Sequence, residues 1–116
     1  MSRVSGLFVN AQHTIKVPAG EYVFREDEVG TEMYGVISGR ISLRHGDAEI
    51  MQVGPDDILG ELALIDQEPR SLDAYALEDC ELASIDRHRF LFLITETPTF
   101  ALQVMTTMAE RMRAQR

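Results

Sequence analysis

The residues best suited to chemistry lie together between Ile58 and Ser71, in the run Ile58-Leu59-Gly60-Glu61-Leu62-Ala63-Leu64-Ile65-Asp66-Gln67-Glu68-Pro69-Arg70-Ser71. Gly60 lets the backbone turn or approach a ligand closely. The residues after it start a short helix of a turn or two, whose leading N–H groups have no partner within the helix and favour an anion. Glu61 puts an acid at that same start. Pro69 fixes the loop ahead of Arg70, and a guanidinium fork there can take two phosphate oxygens at once. A carboxylate beside a phosphate opposes binding unless it has a donor of its own to hold, and a sugar hydroxyl is such a donor. Glu61 with Arg70 therefore implies a ligand that carries a sugar hydroxyl next to a phosphate. Taken singly, Glu61 reads as an ordinary first-turn acid and Arg70 as an ordinary exposed arginine. The functional reading comes from their spacing with Gly60, Pro69 and Ser71.

The elements that must position this run are punctuated by turn signals at Pro18-Ala19-Gly20, Val29-Gly30-Thr31, Ser38-Gly39, His45-Gly46-Asp47 and Gly54-Pro55-Asp56-Asp57. Between them the sequence predicts strands near Thr14–Val17, Tyr22–Arg25, Met33–Ser38, Arg40–Arg44 and Glu49–Val53. Ile41 and Leu43 alternate with Ser42 and Arg44, the period of a half-buried strand. Two further strands are expected near Leu72–Leu77 and Glu81–Ile85. After Asp86, a plausible N-cap, the period becomes helical, with Phe90, Leu91, Leu93 and Ile94 on one apolar face. Pro98 ends that segment and opens a last helix with Thr97 as its N-cap. Leu102, Met105, Ala109 and Met112 then form a heptad-like stripe, and Arg111, Arg113 and Arg116 suit the negative end of the helix dipole. Many short strands followed by helices predict an α+β fold, an antiparallel β-roll of jelly-roll type, with residues 1–116 as one domain.

Composition agrees with one soluble domain. The chain has 116 residues, 45% of them hydrophobic and 26% charged, with a net charge of -8. Such an acidic surface repels a phosphate backbone, which argues against broad nucleic-acid binding, though one well-placed arginine can still reverse the local field. The single cysteine, Cys80, fits a reducing compartment, and its acidic neighbours disfavour a nucleophilic thiolate. The apolar patch Leu7-Phe8-Val9 is too short for a signal sequence or a membrane span, so a cytoplasmic protein is expected. His13, His45 and His88 lack metal-ligand spacing. No nucleophile elbow or Walker loop is present, so the reading is of a protein that is not an enzyme and has no cofactor or metal.

The run Gly60-Glu61-Leu62-Ala63 … Pro69-Arg70-Ser71 resembles the phosphate-binding cassette of cyclic-nucleotide-binding domains, which occur in kinase regulatory subunits, gated channels and CRP-type bacterial regulators. The resemblance extends to Val17-Pro18-Ala19-Gly20-Glu21-Tyr22-Val23-Phe24, to Gly30 … Met33-Tyr34 … Ile37-Ser38-Gly39-Arg40-Ile41, and to Met108-Ala109-Glu110-Arg111-Met112-Arg113 in the C-terminal helix. It implies that Glu61 accepts from a ribose 2′-hydroxyl and Arg70 pairs with the cyclic phosphate. Backbone N–H groups of Leu62, Ala63 and Ser71 would hold phosphate oxygens, with Gly60 allowing the close approach.

The resemblance also favours cAMP as ligand, with cGMP as the alternative, because Ser71 stands where cGMP-selective members often carry Thr. The last helix would be the lid, with Gln115 about where CRP-like proteins place a polar adenine contact and Met105, Met108 and Met112 as an apolar cap or dimer seam. Two positions depart from the family: Leu72 and Asp73 follow Arg70-Ser71 where a small residue and then often Thr are usual. Strand alternation sends them to opposite faces, so at most one intrudes on the site.

The function expected is that of a stand-alone cyclic-nucleotide sensor that signals by moving its C-terminal helix. The alternative is a degenerate domain serving as a ligand-free interaction or dimerisation module. The implied partners are the cyclic nucleotide, an unknown effector protein and a second copy as a homodimer through the last helix. Nucleic acid and membrane are not expected, since no helix-turn-helix follows in this chain.

Overall fold

A computed structural model describes Phe8 and residues 11–114. The strands are β1 (Thr14–Val17), β2 (Tyr22–Phe24), β3 (Glu32–Ser38), β4 (Ile41–His45), β5 (Ala48–Val53), β6 (Ile58–Leu59), β7 (Asp73–Ala76) and β8 (Cys80–Asp86). The helices are α1 (Leu62–Ile65), α2 (Arg87–Glu96) and α3 (Pro98–Ala114). The strands form two four-stranded antiparallel sheets, ordered β1-β8-β3-β6 and β2-β7-β4-β5. This is the expected β-roll closed by C-terminal helices. None of the described helices is long and apolar enough to cross a membrane.

Two apolar clusters explain why the strands read as they do. Val17, Phe24, Val36, Ile41, Leu43, Ala74, Ala76 and Leu82 fill the space between the sheets. Met33, Ile58, Ala83, Ile85, Phe90, Phe100 and Val104 fill the space between the outer face of the first sheet and the helices. β3 and β8 are thus covered on both faces, so β3 is a near-continuous apolar run, whereas β5 faces solvent on one side. The expected strands are present with ends shifted by a residue or so. β6 was not anticipated: two residues are too few to show a period, and it exists because Leu59 and Ile58 pair with Tyr34 and Gly35.

The helices differ from expectation in three details. Asp86 does cap α2, accepting from the Arg89 amide at 2.8 Å, but Leu91 is exposed and only Phe90, Leu93 and Ile94 face the core. Thr97 closes α2, its amide donating to the Leu93 carbonyl, while its own carbonyl accepts from Phe100 and Ala101 of α3. The face of α3 that meets the core is Phe100, Gln103, Val104 and Thr107, so Leu102 and Met105 of the stripe point outward. Phe100 decides this, packing edge-on against Phe90 at 6.1 Å between ring centres.

Candidate functional site

The cassette residues sit between the β6 end and the start of β7. Gly60 takes φ +78°, a left-handed conformation that turns the chain out of β6. α1 follows at once, with Glu61 as its first cap residue. The return limb is sewn to the β2–β3 loop: the Arg70 amide donates to the Glu28 carbonyl and the Asp27 amide to the Arg70 carbonyl, both at 2.8 Å. These bonds fix where the Arg70 side chain starts.

Gly60, Glu61, Leu62, Ala63, Arg70 and Ser71, the six residues expected at the site, all line one cavity of about 250 Å³. Phe24, Leu43, Pro69 and Leu72 complete its wall from the roll, and Met108, Arg111 and Met112 close it from α3. Leu72 does face the cavity. Asp73 points the other way, accepting from the Glu26 amide at 2.7 Å and lying 3.5 Å from Arg25. Met105 is exposed and does not line the cavity with Met108 and Met112. Gln115 lies outside the described residues.

Arg70 is not the exposed side chain that its type suggests; it is 6% exposed. Its Nη1 donates to the Gly60 carbonyl at 3.0 Å and its Nη2 to the Glu32 carbonyl at 2.7 Å. The guanidinium lies 4.3 Å over the Phe24 ring. Burial pulls its pKa below the ordinary arginine value, while Tyr34, Glu28, Glu32 and Glu61 pull it back up. The two bonds engage one N–H each of a five-donor fork, so the group is held in place with further donors to offer an anion. Gly30 makes this arrangement possible: a Cβ there would stand 2.3 Å from the guanidinium carbon.

Glu61 is 2% exposed and its carboxylate is not bare. Arg111 of α3 donates from Nη1 to its two oxygens at 2.5 and 3.1 Å, and from Nη2 to the Ile58 carbonyl. In the sequence Arg111 reads only as a charge suited to the helix dipole. Its tertiary partner could not be read locally, because the two residues are 50 positions apart. α3 is fastened again by Gln103, whose Nε2 donates to the Asp56 carbonyl at 2.5 Å. The arrangement offers a cationic fork, a carboxylate shared with the closing helix, and apolar walls from two methionines and three leucines. It suits a small anion with a hydroxyl and an apolar body.

Comparison with known proteins points the same way. The cyclic nucleotide-binding domain family profile matches residues 14–97. A Cyclic AMP receptor protein of Thermus thermophilus is 34% identical over 101 residues, covering 83% of this chain and 47% of that protein. A cyclic nucleotide-gated potassium channel of Rhizobium etli is 33% identical over 95 residues, covering 82% of this chain and 26% of the channel. The chain therefore spans half or less of the curated relatives it matches. In three dimensions the Catabolite Activator Protein of Thermus thermophilus aligns with a TM-score of 0.77 at 31% identity, over 87% of this chain and 50% of that one.

Proposed function

This chain belongs to the cyclic nucleotide-binding domain family, and we propose that it is a sensor that binds a cyclic nucleotide, cAMP before cGMP, and performs no catalysis. The observation that carries this is the convergence of Gly60, Glu61, Ala63, Arg70 and Ser71 on one cavity that α3 closes. In this reading the cyclic phosphate meets the remaining donors of Arg70 and the backbone N–H groups of Leu62, Ala63 and Ser71. The ribose hydroxyl donates to Glu61, which it shares with Arg111, and the base packs on Met108 and Met112. Charge-assisted hydrogen bonds contribute about 1.5–3 kcal/mol each, so a few of them support micromolar binding, which requires about 8 kcal/mol.

Because two lining residues and Arg111 belong to α3, a ligand that alters their contacts biases the docking of that helix, and differential contact is what lets a ligand shift an equilibrium. The output then passes to an effector protein in the cytoplasm. The outward stripe of Leu102, Met105 and Ala109 supports a homodimer through α3. The test is calorimetric titration of the protein and of Arg70→Ala with cAMP and cGMP. Saturable binding that the variant loses supports the sensor, and heat that survives in Arg70→Ala counts against it.

One observation favours the alternative of a ligand-free interaction module: Leu72, larger than the residue usual at this position in the family, stands in the cavity wall. If the wild-type protein binds neither nucleotide and Leu72→Ala binds, the site has been closed by that side chain.

A further inference from the structure

α1 is four residues long, too short to hold itself, since a first helical turn fixes several dihedral angles for a single hydrogen bond. Its cap residue Glu61 makes no side-chain cap bond. Its orientation must come from outside, and the structure shows an anchor at each end. At the start, the Gly60 carbonyl is held by Arg70 and the Glu61 carboxylate by Arg111. At the far end, the buried Leu64 belongs to the apolar cluster that includes Phe90 of α2 and Phe100 and Val104 of α3. The Leu64 carbonyl also accepts a hydrogen bond from Nη1 of Arg87, the first residue of α2. The last carbonyls of a helix lack partners within it and carry its negative end, so a guanidinium there is favoured. Arg87 lines no part of the cavity; whatever it does for a ligand it does through α1.

We infer that Arg87 is a positioning residue for the cassette, and this rests on the cyclic-nucleotide reading. By holding the far end of α1 it keeps the Leu62 and Ala63 amides in the orientation a phosphate requires. It also makes the docking of α2 and the occupancy of the site one coupled equilibrium, in which each favours the other by the same factor.

The experiment compares the full chain with Arg87→Met, which keeps the apolar stem and removes the donors, and Arg87→Lys, which keeps a charged donor. Each is titrated with cAMP, melted without ligand, and followed by amide hydrogen exchange at Leu64, Ile65 and Asp66, whose N–H groups close α1 onto Glu61 and Leu62. Arg87→Met is expected to bind about tenfold more weakly, the low end for one hydrogen bond to a charged group. Its α1 amides exchange faster, and Arg87→Lys recovers most of both losses. Affinity within twofold of wild type in Arg87→Met overturns the inference even if its melting temperature falls, since that would be support of stability alone. Failure of all three proteins to bind either cAMP or cGMP titrated in its place overturns the ligand reading instead. The exchange rates then judge Arg87 separately, and unchanged α1 exchange in Arg87→Met overturns its positioning role too.

Discussion

Replacing Arg111 by methionine should unfold this domain at a markedly lower temperature, and the size of the effect follows from the burial of the pair it breaks. The Arg111 and Glu61 side chains are 18% and 3% exposed at an N–O distance of 2.5 Å. Arg111→Met leaves the Glu61 carboxylate without this partner where water barely reaches it, and deprives the Ile58 carbonyl of a donor. Removing one partner of a buried pair costs about 3–5 kcal/mol. Against roughly 6–17 kcal/mol for a domain of this length, that is a large fraction, equivalent to a fall on the order of 10–20 °C in Tm. Glu61→Leu should cost less, because Arg111 is the more exposed partner and can turn toward solvent. Replacing both removes the stranded charge, and the double variant should recover much of the loss, with a coupling on the order of 2 kcal/mol. Urea and thermal unfolding of the four proteins of this cycle give that number directly. A loss below about 1 kcal/mol in Arg111→Met, the range of an exposed ion pair, or strict additivity of the two single changes, would refute the view that this pair fastens α3 to the cassette.

Other perturbations follow from the same geometry. Gly30→Ala brings a Cβ to 2.3 Å from the Arg70 guanidinium carbon and must push the fork off the Glu32 carbonyl; titration should show cAMP affinity reduced by about tenfold or more. Burial raises the pKa of the Cys80 thiol above its ordinary value. Because the folded protein then keeps a proton that the unfolded chain loses, stability from this group should fall as pH rises through the ordinary thiol range near about 8.5. Urea midpoints measured on either side of that range should decline more in wild type than in Cys80→Ala. Met105, 59% exposed on the outer stripe of α3, should tolerate Met105→Glu without loss of fold, and sedimentation should show any α3-mediated dimer shifted to monomer by the buried charge.

Much of the architecture was legible because it is local. The alternation Ile41-Ser42-Leu43-Arg44 specifies a strand with one face inward, and the observed β4 buries Ile41 and Leu43 as that period requires, while Ser42 is covered as well, its hydroxyl bonded to Glu49 at 2.6 Å. Asp86 and Pro98 mark the starts of α2 and α3 through capping and fixed φ, both properties of single residues. Gly60, Glu61, Pro69 and Arg70 were legible as a group because their spacing sets a turn, a short helix and a return loop within one stretch of chain, and all four line one cavity.

The tertiary structure decided whatever depends on residues brought together from distant parts of the chain. β6 is a strand only because β3 lies beside it. α3 carries apolar side chains on more than one face, and helical period alone does not say which face meets the core; Phe100 against Phe90 settles it. Arg70 turns inward because the Gly60 and Glu32 carbonyls receive its guanidinium and Gly30 of the β2–β3 loop leaves room for it. Arg111 and Arg87 look in sequence like solvent-facing helix arginines, yet their partners, Glu61 and the Leu64 carbonyl, belong to the cassette. Periodicity and turn chemistry act over a few residues and so are written in order along the chain. A hydrogen bond across the fold depends on where two segments come to rest, and only packing of the whole chain determines that.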